Sequence, residues 1–241
     1  MANKIPLSVV IPAYDEEARL PATLDRVTAY LAGRPAFLPA EVVVVDDGSR
    51  DRTASVAECF AAPAAVAVRV IRFARNRGKG AAVRAGLAAS RGARVLISDA
   101  DLATPIEELE PLLASGAQLA VGSRALDRDL ITRRQPLPRD LLGRLFNLGM
   151  HVLRLTTLRD TQCGFKLLDG ELARTLASQL RLDGFAFDVE LLARAARSGA
   201  SVVEVPVHWH HVEASRVRPL RHGLQMLRDA VRVRLWLLLG R

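Results

Sequence analysis

The chain has 241 residues, half of them hydrophobic and a quarter charged, with a formal net charge of +8. This length suits one large α/β domain, and a composition without low-complexity tracts excludes a disordered protein. The positive charge predicts anionic partners, which could be phosphorylated metabolites, nucleic acid or an anionic membrane surface.

Five short, β-branched runs alternate with helical patterns in the first half of the chain. Strands are predicted at residues 7–12, 41–46, 68–73, 94–98 and 118–122. Such alternation indicates an α/β fold whose mostly parallel central sheet is covered by helices on both faces. Ligands of these sheets lie outside the carboxyl ends of the strands, which is where the polar clusters of this sequence fall.

The first two strands end in acidic clusters. Residues 15–17 (Asp-Glu-Glu) follow the first strand, where their charge could offset the dipole of the next helix. Asp46 and Asp47 end the second strand, and two adjacent acids exceed what helix capping by Ser49 or Asp51 requires. One of these carboxylates could accept a hydrogen bond from a ring N–H of a nucleoside base.

A basic loop with two glycines, residues 75–80, follows the third strand. Its glycines could let backbone N–H groups approach an anion, and its basic side chains could pair with phosphate. The loop lacks the GxxxxGK[ST] pattern of a Walker A sequence and the third glycine of GxGxxG. Because the first strand ends in acids that would repel a pyrophosphate, the sequence disfavours a Rossmann dehydrogenase.

Two carboxylates, Asp99 and Asp101, emerge where the fourth strand ends. Residues i and i+2 of an extended segment point the same way, so both can face one ion, and such hard oxygen ligands suit Mg²⁺ or Mn²⁺. The ion would offset the charge of a diphosphate leaving group. The alternative is a helix start with Thr104 as N-cap and Pro105 after it, and both interpretations can hold together.

The alternation fades in the second half of the chain. The Arg-rich stretch 124–144 is predicted to be a long loop, and long loops in compact domains are often functional. Helices are predicted at about 139–156 and after Phe187, and a last strand at 202–207.

Two polar segments of this half have more than one interpretation. Residues 160–166 bring polar, glycine and aromatic side chains together between two helical patterns, where an ordinary interhelix turn would also fit. Residues 208–211 contain three histidines. Because no spaced acids accompany them, we favour substrate contact or hydrogen-bonded packing over a second metal site.

Residues 217–239 are predicted to form an amphipathic helix with apolar side chains at spacings of three and four. The apolar positions are Leu220, Leu224, Leu227, Val231, Leu235 and Leu238. Residues 216–241 contain seven Arg and one Asp. The helix could pack on the core with a solvated basic face, or lie at a membrane interface with its arginines on lipid headgroups.

The cysteines and apolar runs indicate where the protein acts. Cys59 and Cys163 lie far apart and outside any CxxC spacing, which argues against a disulfide framework and a structural zinc site. The N-terminus enters the first strand without the apolar segment of a signal peptide, and no run reaches the roughly 18 to 20 apolar residues of a spanning helix. We therefore expect a cytoplasmic protein that is soluble or peripherally attached at the cytoplasmic face of a membrane.

In their order along the chain, the clusters resemble those of the family 2 glycosyltransferases, specifically the polyprenyl-phosphate (dolichyl-phosphate) glycosyltransferases. Residues 10–17, 44–49 and 99–101 are similar to the nucleotide-sugar signature of the family, and residues 160–166 resemble a stretch of the dolichyl-phosphate β-glucosyltransferases. Mannosyl-transferring relatives usually carry Gln two places after the second Asp. Here Ala103 stands at that place, which favours glucose as the sugar.

The resemblance implies a GT-A, nucleotide-diphospho-sugar transferase fold in a single domain, 1–241, with a nucleotide-sugar half at about 1–125 and an acceptor half at about 126–215. It implies that the nucleotide-sugar contacts Pro12, Tyr14, Glu16, Asp46, Asp47, Arg75, Lys79 and Ala100. It also implies that Asp99 and Asp101 hold Mg²⁺ or Mn²⁺. The catalytic set comprises Asp99, Asp101, Arg124, Arg139, Gln162, Lys166 and Asp188.

Within that set, Arg124 and Arg139 match arginines that hold the acceptor phosphate. Asp188 and Glu190 could orient sugar or lipid phosphate, although Asp188 could equally cap a helix. The implied membrane contact is the basic C-terminal helix.

The implied reaction is the inverting transfer of a hexosyl group, with UDP-glucose as the favoured donor, to a polyprenyl or dolichyl phosphate. A phosphate acceptor is already ionised at neutral pH, so no strong general base is required. A GDP-mannose-dependent enzyme and a GT-A transferase with a non-lipid acceptor are the nearest alternatives.

More distant classes fit the sequence less well. A processive polysaccharide synthase would carry the motif QxxRW, which this sequence lacks. A sugar nucleotidyltransferase would carry a basic, glycine-rich loop after its first strand, whereas the loop here is acidic. Nucleic acid is disfavoured as a partner because aromatic residues make up only 5% of the chain and no stacking platform is visible.

Overall fold

A computed structural model describes residues 5–133, 137–211 and 219–240, with the backbone alone described at residues 133, 137–142, 144 and 219–222. The strands are β1 (Leu7–Ala13), β2 (Ala40–Asp46), β3 (Val66–Arg72), β4 (Arg94–Ile97), β5 (Leu119–Ser123), β6 (Ile131–Arg133), β7 (Lys166–Asp169), β8 (Val202–Pro206) and β9 (Trp209–His210). The helices are α1 (Leu20–Ala32), α2 (Thr53–Glu58), α3 (Lys79–Ala89), α4 (Leu109–Ala114), α5 (Leu137–Val152), α6 (Gly170–Gln179), α7 (Phe187–Arg197) and α8 (Pro219–Leu238). Short 3-10 helices lie at Pro35–Phe37 and Ile106–Glu108.

Within the described residues, seven strands form one sheet in the order β3-β2-β1-β4-β7-β5-β8. β1 pairs in parallel with β2 and β4, β2 with β3, and β5 with β8. Only β7 runs antiparallel to its neighbours in this sheet, β4 and β5. The predicted α/β fold with a mostly parallel central sheet is confirmed.

The sheet is covered on both faces because its central strands are apolar at nearly every position. Val42 and Val44 of β2 pack in a core that includes α1, α2 and α4, whereas Val43 and Val45 pack in a second core with α3, α6 and α7. All four side chains are fully buried. Near-continuous valine is what a strand covered on both sides requires.

The antiparallel strand β7 is absent from the sequence prediction, which places residues 160–166 between two helical patterns. β7 is only four residues long, and Lys166, Leu167 and Leu168 are completely buried. So short a buried run cannot be assigned by periodicity. Its insertion pairs Ile97 with Lys166 and brings residues 163–165 beside the carboxyl end of β4.

The stretch 124–144, predicted as a loop, contains regular structure. β6 lies within it and pairs with β9. The predicted helix at 139–156 is α5, which starts two residues earlier and ends at Val152. It ends there because the chain turns at Arg154, whose φ of 52° is left-handed.

α8 agrees with the predicted helix within two residues at each end but buries a different stripe. Met226, Ala230, Val233 and Leu237 face the core. The predicted apolar stripe is exposed at Leu224, Leu227, Val231, Leu235 and Leu238, while the side chain of Leu220 lies outside the described residues. The helix does pack on the core with exposed arginines, as one alternative predicts, but through a different set of side chains from the predicted stripe. No helix in the described parts of the chain is long and apolar enough to span a bilayer.

Candidate functional site

The loops that follow β1 and β2 are bound to each other. Asp15 Oδ1 accepts a hydrogen bond from the backbone N–H of Arg50 at 2.7 Å, and Glu17 Oε2 accepts one from that of Arg52 at 2.8 Å. The helix-dipole interpretation of these acids is wrong, because α1 begins at Leu20 and has no acid in its first turn. Their carboxylates instead fix the second loop against the first.

Three residues predicted to contact the nucleotide lie at the end of β1. Pro12 and Tyr14 are half-buried. Glu16 accepts hydrogen bonds from Arg19 at 2.6 and 2.7 Å, and the charge of Arg19 also acts on Asp101. This segment therefore borders the acidic pair at the end of β4.

Asp46 ends β2 completely buried. Its Oδ1 accepts a hydrogen bond from Ser49 N at 3.2 Å. Its Oδ2 lies 3.8 Å from Arg72 Nε and accepts no hydrogen bond from the residues that the structure describes. Asp46 thus keeps one carboxylate oxygen with unused acceptor capacity.

Asp47 has both oxygens bound to the basic loop. Oδ1 accepts from the backbone N–H of Arg77 at 2.7 Å, and Oδ2 accepts from that of Gly78 at 2.8 Å and from Asn76 Nδ2 at 2.9 Å. The backbone N–H groups of residues 77 and 78 are therefore spent on Asp47. These N–H groups do approach an anion, as predicted, and that anion is the carboxylate of Asp47.

The two glycines of this loop permit close packing against residues 182–184. A Cβ at Gly78, whose φ is 112°, would overlap the carbonyl oxygen of Asp183, and a Cβ at Gly80 would overlap that of Leu182. Lys79 is fixed between them as the first residue of α3. Arg75 is exposed and adjoins Gly48 in the turn after β2.

Lys79 and Asp99 form an ion pair, with Nζ 2.6 Å from Oδ1. Burial alone would lower the pKa of Lys79, but Asp99 and Asp188 hold it above its ordinary value. Burial alone would raise the pKa of Asp99, and Lys79 lowers it. A Cβ at Gly164 would overlap the Asp99 carboxylate, so this glycine lets the carboxylate lie flat against the chain before β7.

Asp101 lies beside Asp99. Burial and the negative charge of Asp99 raise the pKa of Asp101, whose Oδ1 accepts a hydrogen bond from Ala103 N at 3.0 Å. The carbonyl of the buried Ala100 accepts from Thr23 Oγ1 at 2.6 Å, which ties the segment to α1.

The capping alternative for this segment is wrong. The following 3-10 helix starts at Ile106 without a side-chain cap, and Thr104 Oγ1 lies 3.9 Å from Cys163 Sγ.

The donor set at this point fits a divalent cation. Two carboxylates stand side by side, and their mutual repulsion is what a cation would relieve. Among the described residues, no group of three His, Cys, Asp or Glu could hold a metal ion. At this point the residues that the structure describes offer Asp99 and Asp101 as hard oxygen ligands, and the remaining positions would belong to ligand oxygens and water.

Lys166 is fully buried, with Nζ 2.5 Å from Asp188 Oδ1 and 2.5 Å from the carbonyl oxygen of Cys163. Its geometry is that of a positioning residue, which holds α7 against the segment beside Asp99. Asp188 lies inside α7, whose N-cap is Ala186, so the capping alternative for Asp188 is wrong. Glu190 accepts hydrogen bonds from Arg194 Nε and from two backbone N–H groups of residues 181–182, a structural role.

Arg124 directly follows β5. Its Nε and Nη2 donate to Asp160 Oδ2 and Oδ1 at 2.6 and 2.8 Å, and its guanidinium carbon lies 5.4 Å from the ring centroid of Trp209. Burial opposes ionisation of Asp160, but Arg124 lowers its pKa to about 2. Gln162 is half-buried and donates its backbone N–H to Asp160 at 3.1 Å. The side chain of Arg139, in α5, lies outside the described residues.

Two residues of this region were missed by the sequence analysis. Glu204 of β8 accepts hydrogen bonds from Ser123 Oγ at 2.9 Å and from the backbone N–H groups of residues 159 and 160, each at 2.7 Å. Asn147 of α5 accepts from Thr161 Oγ1 at 3.0 Å. Glu204 could have been identified from the sequence, because it is a lone acid inside the apolar run 202–207. Nothing in the helical pattern distinguishes Asn147.

The histidines near β9 make ordinary contacts. His208 Nδ1 lies 2.6 Å from Glu108 Oε1, and the backbone N–H of His210 donates to the carbonyl of Ala103 at 2.9 Å. The ring of His211 lies 6.0 Å from that of Trp209.

The structure thus brings most of the expected residues to one end of the sheet. The charges of Lys79, Lys166 and Arg124 all act on Asp99. Because β4 and β5 both run antiparallel to β7, Asp99 and Arg124, which follow these two strands, lie at the same edge of the sheet. Arg75 lies at the outer edge of this site.

Comparison with known proteins agrees with this arrangement. Dolichyl-phosphate beta-glucosyltransferase of Homo sapiens is 40% identical over 97% of this chain and 76% of its own length, and that of Drosophila melanogaster is 42% identical over 92% and 72%. The crystal structure of glucosyl-3-phosphoglycerate synthase from Mycobacterium tuberculosis with Mn²⁺ and UDP-glucose is 24% identical, covers 95% of this chain and 77% of that one, and has a TM-score of 0.68.

That structural likeness, together with the sheet described above, confirms the predicted GT-A fold. The family model of glycosyl transferase family 2 matches residues 8–176. The expected resemblance is confirmed, and the chain belongs to glycosyl transferase family 2.

Proposed function

We propose that this chain transfers glucose from UDP-glucose to a polyprenyl or dolichyl phosphate, with inversion at the anomeric carbon, on a membrane surface. The observation that carries the proposal is that Asp99 and Arg124 follow β4 and β5, which flank β7 in the sheet and end at the same edge. A site that can bind a diphosphate therefore adjoins a guanidinium suited to a second phosphate. The names of the relatives support the sugar and the lipid acceptor, as does Ala103 in the place of a mannosyltransferase Gln.

On the donor side, Asp99 and Asp101 would hold Mg²⁺ or Mn²⁺, which when bound would offset the charge of the departing diphosphate. Lys79 stands beside them and adds one positive charge. Asp46 Oδ2 has unused acceptor capacity, and a ring N–H of the base would reach this buried oxygen only after a rearrangement of its neighbours. Pro12, Tyr14, Glu16, Asp47, Arg75 and Ala100 complete the proposed nucleotide-sugar set, in which Asp47 acts by holding the loop that carries Lys79.

On the acceptor side, Arg124 would hold the lipid phosphate together with Arg139. Asp160 fixes the guanidinium of Arg124, and Glu204 in turn fixes the backbone at Asp160. A phosphate oxygen then attacks the anomeric carbon, forming a C–O bond while the bond to the UDP oxygen breaks on the opposite side. No proton has to be removed, because the attacking phosphate is already anionic. The protein contributes position and charge stabilisation.

An exposed apolar surface supports a lipid acceptor over a water-soluble one. Ten large hydrophobic side chains are exposed among the described residues, and all but Leu126 lie on α5, on α8 or directly after α8. These nine form what we call the α5–α8 surface: Leu145, Leu148, Val152, Leu224, Leu227, Val231, Leu235, Leu238 and Leu239. Arg228 and Arg232 are exposed beside the α8 stripe.

This combination suits an interfacial helix pair on an anionic membrane, which we place at the cytoplasmic face because cytoplasmic leaflets carry anionic lipids.

The decisive experiment is a transfer assay with purified protein, Mn²⁺ or Mg²⁺ and polyprenyl phosphate in vesicles, with UDP-glucose and GDP-mannose compared as donors. We expect a lipid-linked glucose by mass spectrometry, its loss in EDTA, and its loss in Asp101→Asn while the circular dichroism spectrum is unchanged. Transfer of mannose but not glucose would contradict the proposed donor. Transfer only to a soluble phosphate would contradict the proposed acceptor.

A further inference from the structure

The ammonium of Lys79 already occupies the carboxylate proposed to bind the metal. Nζ lies 2.6 Å from Asp99 Oδ1. On its other side Asp99 lies against the backbone of Gly164, where even a methyl group would overlap the carboxylate. Gly164 and Lys79 therefore confine the Asp99 carboxylate from two sides. A divalent cation that binds Asp99 has to share this carboxylate with the ammonium unless the ammonium moves.

The backbone that carries Lys79 is held on both sides. The N–H of Gly78 donates to Asp47 Oδ2 at 2.8 Å, and Gly80 packs directly on the carbonyl of Leu182. Movement is therefore confined to the four-carbon side chain of Lys79. That side chain keeps 23% of its exposed surface and Asp99 keeps 34%, so a ligand can reach the pair from solvent.

We infer that Lys79 makes metal binding at Asp99 and Asp101 conditional on the nucleotide diphosphate, because its ammonium passes from Asp99 to the diphosphate as the ion binds. Two cations on one carboxylate repel each other, and the repulsion is stronger in a partly buried site than in water. A diphosphate supplies oxygens for both cations. Asp188 is a poor substitute partner, since its Oδ1 is taken by Lys166 at 2.5 Å.

The inference rests on the proposed function, and it gives Lys79 a role distinct from simple attraction of the donor. A lysine that only attracted the diphosphate would leave the affinity for the metal alone unchanged on its removal. A lysine that competes with the metal for Asp99 must weaken that affinity. The two roles therefore differ in a binding measurement made without any nucleotide.

The test is Mn²⁺ binding, measured by electron paramagnetic resonance of the free ion, with and without UDP. We compare the wild-type chain with Lys79→Met, which removes the charge, and Lys79→Arg, which keeps it. Arg84→Met is the matched control, because it removes one positive charge from the same helix at a residue that pairs with Asp183 at 2.6 Å. Circular dichroism establishes that each variant is folded.

In the wild type, UDP should strengthen Mn²⁺ binding by roughly tenfold or more. Lys79→Met should bind Mn²⁺ alone roughly tenfold more tightly than the wild type, and its gain from UDP should shrink. Lys79→Arg and Arg84→Met should behave as the wild type does.

A Lys79→Met chain that binds Mn²⁺ alone no more tightly than the wild type overturns the inference and leaves the proposed metal site intact. If Lys79→Met does not fold, Lys79→Gln, which also removes the charge, takes its place and must bind Mn²⁺ alone more tightly than the wild type. A wild-type chain that binds no Mn²⁺ even with UDP overturns the proposed metal site itself.

Discussion

At the scale of single residues, Gly164 determines where the Asp99 carboxylate lies. A Cβ at this position would overlap that carboxylate, so Gly164→Ala must displace Asp99 or the chain before β7. A displacement of about 1 Å in a positioned group can cost about 100-fold in rate, and we expect kcat/KM for glucosyl transfer to fall by about that factor. Gly143→Ala is the control, because a Cβ there meets nothing within 4 Å. Equal kcat/KM values for the two variants would contradict this role of Gly164.

The ionisation of Asp160 should affect the stability of the protein at acidic pH. Its pKa is lowered to about 2 by Arg124. A carboxylate whose pKa is lower in the folded than in the unfolded chain contributes stability above the unfolded value, near 3.8, and loses it as the pH falls towards 2. The contribution lost is at most about 2 kcal/mol.

We therefore expect the free energy of unfolding, measured with urea between pH 4 and pH 2, to fall less steeply in Asp160→Asn than in the wild type. The control is Asp25→Asn, at an exposed position. Its free energy of unfolding should fall with pH as steeply as that of the wild type. A slope in Asp160→Asn equal to that of the wild type would show that Arg124 does not hold Asp160 ionised.

The residues of the site were predictable where chemistry and strand ends coincide. The Asp99-Ala100-Asp101 segment and Arg124 both follow strands, and parallel strands bring their carboxyl ends together. The partners of these residues were not predictable in the same way. Lys79 meets Asp99, and Glu204 meets residues 159–160, through contacts distant in the sequence that only the packed sheet determines.

At the scale of secondary-structure elements, a buried ion pair joins β7 to α7. Lys166 and Asp188 are both buried, and removal of Lys166 leaves the Asp188 carboxylate without its hydrogen-bonded ion-pair partner. Loss of one member of such a pair costs about 3–5 kcal/mol, so we expect Lys166→Met to lower the free energy of unfolding by that order. Urea denaturation followed by circular dichroism measures it.

The matched control for this pair is the double variant Lys166→Met/Asp188→Leu, which removes both charges. It should recover part of the stability lost in Lys166→Met, because no uncompensated charge remains. If the two substitutions lower the free energy of unfolding additively, the double variant will be less stable than Lys166→Met. That result would contradict coupling between the two elements.

Elements with long apolar patterns were predictable, whereas those defined by tertiary packing were not. β1 and β2 follow from their β-branched runs. β7 has four residues, and its place between β4 and β5 depends on pairing with strands about 70 and 45 residues away. For α8 the spacing of leucines gave the helix correctly but not its buried face. Ala230, Val233 and Leu237 pack against the core, and the leucines of the predicted stripe remain outside.

At the scale of the whole molecule, charge and exposed apolar area meet on one side. The α5–α8 surface has apolar side chains from two helices that contact each other, with Leu227 of α8 close to Gly149 of α5. Asn147, on α5 between Leu145 and Leu148, binds Thr161 beside the Asp160–Arg124 pair. Membrane contact through α5 would therefore bring the lipid phosphate close to Arg124, the residue that we propose holds it.

This arrangement predicts that the α5–α8 surface, rather than net charge alone, binds the protein to vesicles. Burial of each leucine contributes about 1.5–3 kcal/mol, so Leu148→Asp/Leu235→Asp should weaken co-sedimentation with vesicles containing phosphatidylserine by well over tenfold. Leu126→Asp, at the exposed leucine outside the surface, should bind as the wild type does.

Arg228→Glu/Arg232→Glu should also weaken binding to these vesicles, by about 1 kcal/mol for each arginine, and should remove much of the sensitivity of binding to salt.

Transfer to a short-chain, water-soluble prenyl phosphate separates docking from chemistry, because it requires no membrane. Leu148→Asp/Leu235→Asp should retain the wild-type rate with that acceptor and lose it with polyprenyl phosphate in vesicles. Undiminished vesicle binding by this variant would contradict membrane docking through the surface. If sedimentation shows a wild-type dimer that the variant abolishes, the surface joins two copies of the chain, since burial against a second copy would satisfy the same leucines.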